Sequence, residues 1–222
     1  MKNYLKNRKI LEDGHVYSRN MEHDACGVGL IASTEGKKSR NVVEYGINAL
    51  KAVFHRGAVD ADGKTGDGAG IHLEIPSDFF TEKIELTGHK HDGSEICIGM
   101  IFLPRNNYGA QENARTLVES ELTKSNFNIY GWRQVPVNTK VLGEKANFTR
   151  PEITQVLFKN NDKNLIGKKL ERKLYESRRK MEKEAIKNAL EGFYICSLSS
   201  KSIIYKGMFL AESIADFYID LQ

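Results

Sequence analysis

Asp24-Ala25-Cys26-Gly27-Val28-Gly29-Leu30-Ile31-Ala32 is the stretch that decides how the chain is read. The apolar run 27–32 predicts a short buried strand, closed by the polar turn Ser33-Thr34-Glu35-Gly36. A cysteine stands at its mouth, with glycines one and three residues beyond. Glycine leaves backbone open, so a substrate can come close to the sulfur. An isolated cysteine beside a strand is ordinarily a small buried apolar residue. What lifts Cys26 out of that class is a second stretch, His55 to Ile71.

Outward from Cys26, residues 1–25 are polar with scattered apolar positions, and they read as an arm or removable leader. On the other side, Asn41 followed by Glu44 fits a capping box. Val43, Ile47, Leu50 and Phe54 then recur at helical spacing, predicting a helix over 42–54. HRGAVDADGKTGDGAG, residues 55–70, has five glycines in 16 positions and no apolar period, so it is a loop. Strands are predicted at 71–75, 95–103, 128–137 and 153–158, and helices at 77–85, 109–124 and 170–190. In the last of these, Leu174, Met181, Ile186 and Ala189 form the apolar side. Residues 193–198 and 203–205 flank Ser199-Ser200-Lys201 and predict a hairpin, with a short helix at 211–218. Interspersed strands and helices with antiparallel pairing give an α+β fold in one domain.

The bulk numbers exclude several classes. With 40% hydrophobic and 28% charged residues, the 222-residue chain has an ordinary globular balance. A net charge of +4 argues for neither nucleic acid nor membrane as a partner. No run reaches the ~18–20 apolar residues of a membrane span, and the N-terminus has no signal-peptide core, which points to the cytoplasm. Cys26, Cys97 and Cys196 are too widely spaced for a metal pair, and an odd count gives no disulfide framework.

Three smaller patterns invite other readings. Gly63-Lys64-Thr65 suggests a phosphate loop, but Gly57 precedes Gly63 by five intervening residues instead of four, and Asp60 and Asp62 repel phosphate. Asp60, Asp62 and Asp67 suggest calcium, yet Lys64 and Ile71 occupy positions that need oxygen ligands. His89 and His91 have no visible third ligand and read as a solvated loop.

Cys26 and the 55–71 loop together carry a resemblance. CGVGLIA, a helix, HRGAVDADGKTGDGAGI, a strand and IPSDFF resemble the start of the glutamine amidotransferase domain of glutamate synthase large subunits. GMFLAESIADFYIDL and, more loosely, ERKLYESRRKMEKEA are similar to that family too. The resemblance implies an N-terminal-nucleophile hydrolase fold, a four-layer αββα sandwich, here incomplete at the C-terminus. It implies that Cys26 attacks glutamine, giving glutamate and ammonia, and that the whole enzyme uses the ammonia to make glutamate from 2-oxoglutarate. FMN and an iron–sulfur cluster are implied for the full-length enzyme and none for this segment. The implied partners are the downstream synthase domains and a small subunit using NADPH, or ferredoxin.

The chemistry has its own logic. An amide is a poor electrophile and calls for a thiolate. An N-terminal cysteine carries an α-amine titrating near ~7.7–8.0, able to act as general base within the same residue. Acylated by Ala25, that nitrogen is not basic, so residues 1–25 are expected to be a propeptide and 26–222 the amidotransferase domain. Arg56 and Gly57 of the HRG motif are expected to brace the site or touch substrate.

The family completes its site with a HQRFSTN-like arginine and a HNGE-like Asn-Gly oxyanion hole, and neither motif occurs in residues 1–222. The chain is therefore expected to be an N-terminal fragment with little glutaminase activity alone, since losing one oxyanion donor costs roughly 10²–10³ in rate. Amidotransferases that make asparagine or glucosamine phosphate share CGxxG but lack the GKTGDGAGI loop. The alternative of another class is a degenerate, non-catalytic binding or regulatory module, against which the retained Cys26 speaks.

Overall fold

The computed structural model describes residues 2–14, 18, 26–53 and 57–222. Its centre is a four-stranded antiparallel sheet in the order β3-β4-β2-β5, built from β2 (Ile96–Leu103), β3 (Phe127–Gln134), β4 (Glu152–Asn160) and β5 (Tyr194–Ser199). β2 is apolar throughout because both its faces are covered. Cys97, Ile101 and Leu103 enter one core, and Ile96, Ile98 and Met100 the other. Gly99 belongs to the same design: a Cβ there would stand 2.7 Å from Val156 Cγ1 and 2.9 Å from Leu198 Cδ1.

Helices α4 (Tyr108–Lys124) and α6 (Gly167–Lys187) cover the first face. Asn107 caps α4 by accepting from the Ala110 N–H at 3.0 Å, and Ala114, Val118 and Leu122 form its buried line. α6 is rich in charge, and Leu170, Leu174, Ser177, Met181 and Ala185 are its buried residues, at three- and four-residue spacing. Ile186, expected on that face, is 82% exposed, and Ala189 lies beyond the helix at φ 48°. The buried line runs 170, 174, 177, 181, 185, and Ile186 stands one residue past it, about 100° around the helix; within the line, Ser177 donates to Ser125 Oγ at 2.9 Å.

The second face looks across a core to a two-stranded antiparallel sheet of β1 (Ala69–Glu74) and β6 (Ser202–Gly207), over which α2 (Arg40–Ala52) packs. The order helices, sheet, sheet, helix is the expected α+β sandwich. α3 (Ser77–Glu85) fills the end of the inter-sheet core with Phe80 and Ile84.

Several expectations need correcting. β5 and β6 are not a hairpin, because they belong to different sheets. The β6 backbone is instead satisfied by side chains: the Ile204 N–H donates to Ser197 Oγ (3.3 Å), Cys196 Sγ donates to Ile204 O (3.5 Å), and the Ser202 N–H donates to Ser199 Oγ (3.2 Å). α2 starts at Arg40 after Ser39, so Asn41 is inside the helix and no side chain caps it. Residues 26–33 form no strand, and Val28 and Leu30 are 91% and 89% exposed. A strand exists only through a partner, and no described strand pairs with this run.

Two helices lack an apolar stripe in sequence and were not expected: α1 (Lys2–Asp13), none of whose described side chains is buried, and α5 (Glu144–Thr149). The last stretch is a helical turn, α7 (Ile214–Phe217), between 3-10 turns at Ala211–Ser213 and Ile219–Leu221.

A polar network ties this last stretch to both sheets. Arg133 on β3 grips Asp220 with two bonds of 2.7 and 2.5 Å, and donates to Gln155 Oε1 at 2.8 Å. Tyr205 donates to Asp220 Oδ2 at 3.1 Å, and Gln155 Nε2 donates to the Tyr205 hydroxyl at 3.3 Å. The paired side chains are only 15% and 5% exposed. Asp220→Ala should strand the Arg133 charge and lower the unfolding free energy by about 3 kcal/mol, measured by urea titration; Asp220→Asn, which keeps an acceptor, should lose less.

Candidate functional site

Three thiols compete for the role of nucleophile, and burial separates them. Cys97 is fully buried in the core under α4 and α6, and its thiol is pushed far up by desolvation and by the Glu95 and Glu171 carboxylates. Cys196 is buried between the sheets, where desolvation pushes it up to about 11. Cys26 is exposed. Only a thiolate attacks an amide, so the two core cysteines are unreactive near neutral pH and Cys26 is the accessible one. Cys97 and Cys196 sit on opposite faces of the sheet, so they cannot share an iron–sulfur cluster.

Gly57 is likewise exposed, and Arg56 lies outside the described residues. The loop after Gly57 is ordered as a small hairpin, with Val59 bridging Gly66 and the Asp60 N–H donating to Thr65 O at 2.8 Å. Asp62 organises its tip. Its carboxylate accepts from the Lys64 N–H (2.9 Å), the Thr65 N–H (2.7 Å) and the Thr65 hydroxyl (2.6 Å). The Thr65 hydroxyl and N–H, followed by the Lys64 N–H, hold Asp62 at about 2, below its ordinary 3.8.

This tip docks on the start of α5. The Ala146 N–H donates to Thr65 Oγ1 at 3.3 Å, and Lys145 pairs with Asp60 at 2.7 Å. Gly143 makes the approach possible, since a Cβ there would lie 2.2 Å from Asp62 Oδ2 and 2.3 Å from Thr65 Oγ1. The phosphate-loop pattern is thereby explained differently: the N–H groups that would hold a phosphate hold Asp62. Sequence reading missed this contact because α5 is six residues long and some 80 positions away. The signal available was Gly143 itself, ahead of a helix-compatible run.

The histidines of the 87–94 loop have local partners. His89 Nδ1 is 3.1 Å from Thr87 Oγ1, His91 Nε2 donates to Ser94 O at 2.9 Å, and both rings meet Tyr130 edge-on.

Beside the docked loop an apolar cavity of about 660 Å³ opens between the sheets. Asp67 to Ala69, Phe102, Ile153, Ile204 and Phe209 line it, with Arg150 and Lys206 among its polar groups. The four-stranded sheet is wider than the two-stranded sheet facing it, which leaves this part of the inter-sheet core open.

The class-II glutamine amidotransferase family model matches residues 26–222, and the chain belongs to that family. It is 52% identical over 218 residues to the glutamate synthase [NADPH] large chain of Azospirillum brasilense, covering 98% of this chain and 14% of that protein. It is 38% identical over 202 residues to ferredoxin-dependent glutamate synthase 2 of Synechocystis, covering 90% of this chain and 13% of that one. Ferredoxin-dependent glutamate synthase 1 of Arabidopsis thaliana, chloroplastic/mitochondrial, is 38% identical over 203 residues, covering 90% and 12%. The chain thus spans about one seventh of the relatives it matches. Among the described residues, no helix is long and apolar enough to cross a membrane.

A thiol probe applied to the native protein at pH 8 should modify Cys26 alone, with Cys97 and Cys196 reacting only after denaturation. Peptide mass mapping reads this; native labelling of Cys97 or Cys196 would contradict the burial argument.

Proposed function

We propose that this chain is the glutamine-hydrolysing part of a glutamate synthase, with Cys26 as its nucleophile. The observation that carries the reading is a coincidence of two boundaries: the family match begins at Cys26, which is also the exposed thiol. The Cys26 sulfur attacks the side-chain amide carbon of glutamine and the C–N bond breaks, leaving a γ-glutamyl thioester and ammonia. Water then cleaves the thioester, releasing glutamate and restoring the thiol. The α-amine of Cys26, free once the Ala25–Cys26 bond is cut, takes the thiol proton and passes it to the leaving nitrogen.

Residues 1–25 act as a propeptide in this scheme. Its support is the amine chemistry, together with the lack of any buried described side chain in α1. The alignment with the Azospirillum protein is long enough to take in most of residues 1–25. Arg56 and Gly57 brace the nucleophile through the loop that Asp62 anchors. The carboxylate clamp and oxyanion donors come from other parts of the whole protein, as do the flavin and cluster that use the ammonia to make glutamate from 2-oxoglutarate. A reducing partner, either a small NADPH-using subunit or ferredoxin, supplies the electrons. Among the described residues, no group of three or more histidine, cysteine or carboxylate side chains is placed to hold a metal ion. The cytoplasm is the proposed compartment.

The whole protein, purified from its own cells, should have a mass that begins at Cys26 and should release glutamate from glutamine. Cys26→Ala should lower that rate by roughly 10³-fold or more. Undiminished turnover by a form that retains residues 1–25 would overturn the role given to the amine.

A further inference from the structure

The positive charge of the chain is concentrated on one helix. α6 holds nine lysines and arginines against four glutamates, a net of +5, and the rest of the chain is −1. Of its exposed residues, seven are Lys or Arg and two are Glu. Most of the glutamates are committed at the margins of this face. Glu171 is turned to the end of β5, accepting from the Ser199 hydroxyl and the Ser200 N–H at 2.8 Å each. Glu182 is shared by Arg178 and Arg179, and Glu184 pairs with Lys187 at 3.3 Å. Glu176 stands among the cations, bound to Arg172 at 3.0 Å.

This pattern weakens the helix on its own. Lys168 and Arg172, Arg179 and Lys183, and Lys183 and Lys187 are like charges four residues apart, and such pairs repel. Lys168 and Lys169 also occupy the first turn, where the helix dipole already presents positive charge and no acidic residue offsets it. Lys168, Lys169 and Lys183 form no ion pair among the described residues. An acidic surface laid along the helix relieves the repulsion and supplies the counter-charge.

A recess adjoins this face. Between α4 and α6 lies a groove of about 430 Å³, lined by the apolar Leu117, Met181 and Leu190 and by Lys124 and Lys180. Tyr175 and Ile186, both exposed, add apolar surface among the cations. The matching ligand has carboxylates for the lysines and apolar side chains for the groove, which describes an amphipathic acidic segment of a protein. Nucleic acid fits less well, since it brings no apolar side chains and its phosphates are repelled by Glu176 and Glu184. A membrane surface also fits less well, because the apolar stripe of α6 faces the core and leaves only Tyr175 and Ile186 to insert.

We propose that the outer face of α6 and the α4–α6 groove dock an acidic, amphipathic protein segment, its carboxylates against the basic line from Lys168 to Lys187 and its apolar residues in the groove. The contact is separate from the chemistry at Cys26. Exposed charge of this kind governs the speed and specificity of approach more than the strength of binding.

The probe is a fluorescein-labelled peptide of about 20 residues, glutamate with leucine recurring at alternate three- and four-residue steps. It is titrated with the whole protein and read by anisotropy. Saturable binding is expected, weakened at least about tenfold in Lys168→Glu/Lys169→Glu/Lys183→Glu, which breaks no ion pair. The same three positions changed to Gln should weaken it at least about threefold, and this variant carries the test should the charge reversal fail to fold. Four results overturn the proposal: no saturable binding, equal binding by the variants, equal binding of an all-glutamate peptide of the same length, or tighter binding of a DNA oligonucleotide or of phosphatidylcholine vesicles with about 30% phosphatidylserine.

Discussion

The structure depends on a substitution of side chains for backbone between β5 and β6. A tight turn between two apolar runs ordinarily lets them pair with each other. Here Ser197, Ser199 and Cys196 take the β6 backbone groups that a ladder with β5 would use. Glu171 of α6 holds the turn itself, accepting from the Ser200 N–H and the Ser199 hydroxyl at 2.8 Å each. β6 pairs with β1 through its other edge, and the two form a second layer. The inter-sheet core, the cavity and the placement of the glycine loop all follow from that separation.

The second constraint is the anchoring of polar groups inside this core. Asp220 reaches Arg133 on one sheet and Tyr205 on the other. Asp62 does the equivalent for the glycine loop, binding its own tip and seating it on α5. In each case one carboxylate satisfies several donors. That makes a polar group an organiser where an unpaired one would be a cost.

Much of the fold was legible because local pattern and burial agree. α3, α4, β2 and β4 lie within a residue or three of their sequence-based bounds, since each carries an apolar stripe or run that a neighbour covers. What could not be read was pairing. Whether 193–198 and 203–205 bond to each other is decided by three short side chains, and nothing in periodicity distinguishes that outcome from a hairpin. Asp62 could be seen as an acid in a glycine loop, but its partner, the start of α5, carries no stripe. The site residues divide the same way. Cys26 stands out through the resemblance and is set apart from Cys97 and Cys196 by exposure, whereas the strand expected after it has no described strand to pair with.

The central claim is that Cys26 carries the γ-glutamyl group. The whole protein mixed with glutamine and quenched in acid during turnover, then digested and mapped by mass spectrometry, tests it most directly. An adduct of glutamine less ammonia is expected on the peptide that begins with Cys26. An adduct on a different residue, or turnover with no adduct under conditions that trap thioesters, would contradict it.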